Sequence, residues 1–105
     1  MSQNTPQPLG QNIGQELAAL YDIVLTRVDA DPEASTTAAL LNRGSDACAL
    51  RVIEEITEVQ RALRKETEER QIEEAADLLY MLMVYLVSTK IDMRKVLSEL
   101  ASRRK

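Results

Sequence analysis

No histidine, tryptophan or phenylalanine occurs anywhere in this sequence of 105 residues, and it has one cysteine, three glycines and three prolines. Each shortage closes off some chemistry. Without histidine there is no Ser-His-Asp triad, no imidazole general base and no His-containing zinc site, and Cys48 alone makes neither an intrachain disulfide nor a thiolate cluster. Basic charge is scarce as well. The chain sets 13 Lys and Arg against 17 Asp and Glu, with a net charge of −4 and a pI near 4.8, which argues against a general binder of nucleic acid or of anionic membranes. The longest apolar run, Leu78 to Val87, is ten residues, half of the roughly 20 that a bilayer requires. The opening residues carry neither charge nor an apolar stretch, so no signal peptide is expected, and the single thiol suits a reducing cytoplasm. Any chemistry therefore rests on carboxylates, hydroxyls, amines or a bound metal.

What is present is unevenly spread. An apolar fraction of 45% is ordinary for a globular chain, and the length allows one domain. Nine of the 17 acids lie between residues 54 and 77, among only four bases, Arg61, Arg64, Lys65 and Arg70. The segment from Lys90 onward reverses this, with six bases against Asp92 and Glu99.

Residues 1–12, with two prolines, a glycine and several amides, predict a flexible tail, leaving 13–105 as a single domain. Ile13, Leu17, Leu20, Tyr21, Val24, Leu25 and Val28 recur at three- and four-residue spacing, predicting a helix over about 14–28. Pro32 disfavours helix at Asp31, and Ser35, Thr36 and Thr37 can cap a short helix that ends before Gly44. Leu50, Val52, Ile53, Ile56, Val59 and Leu63 mark a helix over about 46–66. After the polar break 66–70, the stretch 70–89 is apolar on nearly every side, which predicts the centre of a bundle or a subunit interface. A last amphipathic helix is expected from about Asp92, with Val96, Leu97 and Leu100 inward. Strand alternation, internal repeats and long heptads are absent from the sequence, so the chain reads as all-α, a bundle of four to five helices. One chain of this size cannot readily cover so apolar a helix, which predicts dimerisation through residues 72–87.

Glu55 and Glu58, and likewise Glu74 and Asp77, have i, i+3 spacing, so each pair leaves one side of its helix. Advancing about 100° per residue puts Val52, Ile56, Val59 and Leu63 in one stripe, with Glu55 flanking it and Glu58 beside it. Antiparallel packing about the break would bring the two acid pairs to similar heights. Acids gathered beside an apolar core repel, and protons or a cation must offset this. An all-oxygen donor set selects a hard ion, Mg²⁺ with Mn²⁺ as an alternative, and Mg²⁺ commonly shares its shell with substrate phosphates. The competing reading is a solvated helix edge, as expected for Glu66, Glu68, Glu69 and Glu73. Cys48 reads as a small buried hydrophobe, and Arg51 and Arg61 as partners of the glutamates.

At these residues the sequence resembles the phosphoribosyl-ATP pyrophosphatases of the MazG-like all-α NTP pyrophosphatase superfamily. The likeness runs from about Leu17 to Arg103 and is most specific in Asp31-Pro-Glu-Ala-Ser-Thr-Thr37, Glu54-Glu-Ile-Thr-Glu-Val59, Glu73-Glu-Ala-Ala-Asp-Leu-Leu-Tyr80 and Val96-Leu-Ser-Glu-Leu100. The superfamily pattern E-E-x-x-E followed by E-x-x-D falls on Glu54, Glu55, Glu58, Glu74 and Asp77. The resemblance implies that such acids hold Mg²⁺ and position water for attack between the α and β phosphates, releasing pyrophosphate and a monophosphate. It implies metal ligation by Glu55, Glu58, Glu74 and Asp77, with Glu54 as a water-activating or orienting group. It also implies a nucleotide substrate, homodimers or higher oligomers of helical bundles, and a cytoplasmic setting. Arg27, Arg43 and Arg51 are candidate phosphate contacts, because the lysines usual before the first acidic motif are absent and Met81 stands where a histidine is common. The alternatives are a MazG-like house-cleaning enzyme acting on (deoxy)nucleoside triphosphates and a catalytically inactive helical interaction module.

Overall fold

The computed structural model describes residues 12–65 and 67–104. They form α1 (Asn12–Thr26), extended by a 3-10 turn at Arg27–Asp29, then α2 (Thr36–Arg43), α3 (Ser45–Lys65), α4 (Glu68–Thr89) and α5 (Met93–Ser102), and no strand. The chain is all-α, as its periodicity predicts. The expected tail lies outside the described residues except for Asn12, which opens α1.

Local chemistry sets the helix ends. Ser35 Oγ accepts the Ala38 N–H at 3.1 Å and caps α2. Gly44, at φ 99°, then turns the chain where a side chain would be strained. Thr67 Oγ1 accepts the Arg70 N–H at 3.3 Å and caps α4, so the connection from α3 is shorter than the polar run 66–70 suggests. Glu68 and Glu69 belong to the first turn of α4, where negative charge suits the exposed N–H groups. Asp92 caps α5 by accepting the Arg94 N–H at 2.8 Å.

α3 and α4 form the most extensively packed pair of elements. They run antiparallel: Ser45 Oγ, at the start of α3, donates to the Ser88 carbonyl, at the end of α4, at 3.1 Å. The core is Val24, Cys48, Met81, Met83, Val84 and Val87, with Leu17, Leu20, Tyr21, Leu40, Leu41, Val52, Tyr80, Tyr85 and Met93 packed around it. Burial of a side chain such as Val24 or Met83 contributes about 1.5–3 kcal/mol. Cys48 is wholly buried, and its thiol donates to the Leu40 carbonyl at 3.7 Å.

The structure departs from the predicted helical faces in two places. On α3, Ile56 is 52% and Leu63 68% exposed, whereas Cys48, Glu55 and Ala62 are buried. The helix is rotated so that its small residues and Glu55 face inward, which lets its backbone approach α4 closely, and the bulky Ile53, Ile56 and Leu63 project outward. On α5, Leu97 and Leu100 are not inward but half exposed. α5 touches the other helices little, and its first N–H donates to Tyr21 Oη at 3.3 Å. Between α5 and α1 lies an open apolar groove of about 780 Å³ lined by Leu17, Tyr21, Leu25, Met93 and Leu97 among others. Ile72, Leu79 and Leu82 on α4 are also exposed. No helix among the described residues is long and apolar enough to cross a membrane.

Candidate metal and phosphate site

Because α3 and α4 run antiparallel, two of their acids face each other inside the interface. Glu55 and Glu74 each retain only 7% of their accessible surface, and both lie beside Asp77, which is exposed. One carboxylate oxygen from each of Glu55, Glu74 and Asp77 falls within 4.8 Å of the other two. Glu74 titrates above its ordinary range: burial is the main cause, Arg70 opposes it, and the charges of Asp77, Glu58 and Glu55 add to it. Three oxygens at that spacing, two of them desolvated, fit a hard divalent cation: the donors are all oxygen and their mutual repulsion is what a cation relieves.

The other predicted acids lie outside this trio. Glu58 turns to Arg61, whose Nη1 donates to its Oε1 at 3.1 Å. Glu54 is exposed and accepts from Arg51 Nη1 at 2.9 Å. Glu73 is exposed on Arg70. Among the described residues Asp77 makes no ion pair, so it is the carboxylate of the trio without a guanidinium against it.

Of the three candidate phosphate contacts, Arg51 stands nearest the acids. It bridges Glu54 and, through Nη2, Glu55 Oε1 at 3.0 Å, and its charge is reinforced first by the hydrogen bond it donates to Glu54. With Arg43 it lines a pocket of about 290 Å³ with Thr36, Thr37, Tyr80 and Met81, where the Thr37 and Tyr80 hydroxyls hydrogen-bond across from α2 to α4. Arg27 instead donates to Thr26 Oγ1 at 3.3 Å. The apolar α1/α5 groove is larger but includes none of the clustered acids, so charge, not volume, locates the site.

Arg70 is a site residue that the acidic pattern does not single out: it falls at the polar break 66–70 by composition, yet it sits in the first turn of α4 and clamps Glu73 at 2.6 Å and Glu74 at 2.7 Å. A signal was available: Arg51-Val-Ile-Glu-Glu55 on α3 recurs as Arg70-Gln-Ile-Glu-Glu74 on α4, and each copy is followed three residues later by a further acid, Glu58 or Asp77.

Residues 17–104 match the family model described as phosphoribosyl-ATP pyrophosphohydrolase. The chain is similar to the phosphoribosyl-ATP pyrophosphatase of Roseobacter denitrificans, 40% identical over 87 residues, 83% of each chain. That of Trichlorobacter lovleyi is 42% identical over 87 residues, 83% of this chain and 81% of the relative. That of Saccharolobus solfataricus is 38% identical over 86 residues, 82% of this chain and 92% of the relative.

Proposed function

The chain belongs to the phosphoribosyl-ATP pyrophosphohydrolase family, and from that premise we propose that it hydrolyses phosphoribosyl-ATP to phosphoribosyl-AMP and pyrophosphate, a step of histidine biosynthesis. The observation that carries this reading beyond the family likeness is the convergence of Glu55, Glu74 and Asp77 from two antiparallel helices. The names of the relatives favour it over a house-cleaning (deoxy)nucleoside triphosphatase and over an inactive interaction module.

Glu55, Glu74 and Asp77 would hold Mg²⁺, or Mn²⁺, with Glu58 joining them on leaving Arg61. Such a cation supplies charge neutralisation at the phosphates and a more acidic bound water. The chain's own groups do the rest. Burial keeps the Glu55 and Glu74 carboxylates short of water ligands and ready for a cation. Glu54, exposed on the same turn and paired with Arg51, would accept the proton of an attacking water. Arg51 and Arg43, at the pocket beside the acids, supply positive charge to the phosphates.

The outward Ile53, Ile56, Ile72, Leu79 and Leu82 support a homodimer, since so many bulky apolar side chains on two packed helices need a cover that one chain does not provide. Residues 13–105 would act as one domain in the cytoplasm. A panel of phosphoribosyl-ATP and the common (deoxy)nucleoside triphosphates, run at one Mg²⁺ concentration, tests the substrate. The highest kcat/KM is expected for phosphoribosyl-ATP, and preference for a simple triphosphate would overturn the assignment.

A further inference from the structure

Among the described residues, Arg51 and Arg70 are the basic residues that contact the buried acids, and they do so in the same way. Each sends Nη1 to an exposed glutamate one turn on and Nη2 to the buried glutamate after it: Glu54 and Glu55 at 2.9 and 3.0 Å, Glu73 and Glu74 at 2.6 and 2.7 Å. Two guanidiniums thus flank the trio from opposite helices. Both arginines are about half exposed while Glu55 and Glu74 are nearly buried, so in each clamp the guanidinium is the partner with more room to turn. We propose that Arg51 and Arg70 are exchangeable counter-cations: a divalent ion takes Glu55 and Glu74 from them, and the released guanidinium edges then bind the pyrophosphate part of the substrate.

The proposal rests on the metal-site reading above and deepens it. A guanidinium and a divalent cation compete for the same carboxylate, because each is stabilised by its charge. Once the cation is bound, like charge pushes the guanidinium off the buried acid, and the exposed partner, Glu54 or Glu73, keeps it beside the site. The freed N–H groups then face phosphate oxygens, which the planar fork of arginine binds in pairs. Two arginines, one on each helix, would in this way make up for the lysines missing before the first acidic motif.

A competing cation and a merely positioning one make opposite predictions. Titrate Mn²⁺ alone, following the free ion by EPR, into the full chain and into R70Q, R51Q, R70K and E74Q, with R103Q, just past the end of α5, as a control for net charge. Then titrate a preformed Mn²⁺–pyrophosphate complex by calorimetry. R70Q and R51Q should bind Mn²⁺ about threefold tighter or more and the pyrophosphate complex about threefold weaker or more, a change in the range that half-exposed ion pairs deliver. R70K keeps the charge without the fork: its Mn²⁺ affinity should stay near that of the parent while pyrophosphate binding falls. R103Q should change neither. Unchanged or weaker Mn²⁺ binding by R70Q and R51Q would overturn the exchange while leaving the metal site intact. Equal Mn²⁺ binding by the parent chain and E74Q would remove the metal site and the exchange with it.

Discussion

Arg70 Nη2 lies 2.7 Å from Glu74 Oε1, one turn further along α4, and this contact joins an exposed cation to an acid that is almost fully buried. It also explains how so much negative charge is tolerated between two helices. Glu74 is raised first by burial and then by its acidic neighbours, and Arg70 opposes that rise as the nearby positive charge.

Asp77 and Glu58 separate the acids by role. Asp77 lies within the trio and Glu58 is turned to Arg61. Asp77→Asn should lower kcat by more than the roughly 10- to 100-fold that follows loss of a residue merely orienting a metal ligand, with helicity by far-UV circular dichroism unchanged. Glu58→Gln should also abolish most turnover if Glu58 swings in on loading. Loss of fold in either variant would assign a structural role instead.

How much of this the residues disclose in advance depends on which forces decide each feature. The helices were legible because capping and periodicity are local: Ser35, Gly44 and Asp92 mark ends that the structure reproduces. The rotation of α3 was not. Hydrophobicity alone aims Ile56 and Leu63 inward, but the small Cys48 and Ala62 permit closer packing on α4, and that choice depends on a partner helix the local pattern does not contain. Glu55, Glu74 and Asp77 could be paired from spacing, whereas the direction of Glu58 and the clamp by Arg70 depend on rotamers.

Met83 is wholly buried at the centre of the core. Met83→Ala should cost about 2–5 kcal/mol of unfolding free energy, read from urea denaturation, and the loss should be nearer the upper end if the surrounding helices do not collapse on the cavity.

Leu79 projects from α4 and is about half exposed. The proposed homodimer predicts a dimeric parent chain in analytical ultracentrifugation and a monomeric Leu79→Arg variant of largely intact helical content, because the side chain leaves no cavity in the core. A dimer unaffected by the arginine would put the interface elsewhere.

Asp92 is lowered to about 2 from its ordinary 3.8, first by its side-chain hydrogen bonds with Arg94 and then by the Arg94 N–H. A lowered carboxylate stabilises the fold above its unfolded value, and that contribution is lost as pH falls through the folded one. The stability difference between the parent chain and Asp92→Asn should therefore hold steady above about pH 5 and shrink progressively from about pH 5 towards pH 1, as followed by thermal unfolding across that range.

The most direct measurement is pyrophosphate release from phosphoribosyl-ATP in Mg²⁺, with and without excess EDTA, for the parent chain and for E74Q. The parent chain should release pyrophosphate in Mg²⁺, none in EDTA, and release it again when Mg²⁺ is restored, and E74Q should release none under any of these conditions. Turnover that persists in chelator, or that survives in E74Q, would contradict this expectation.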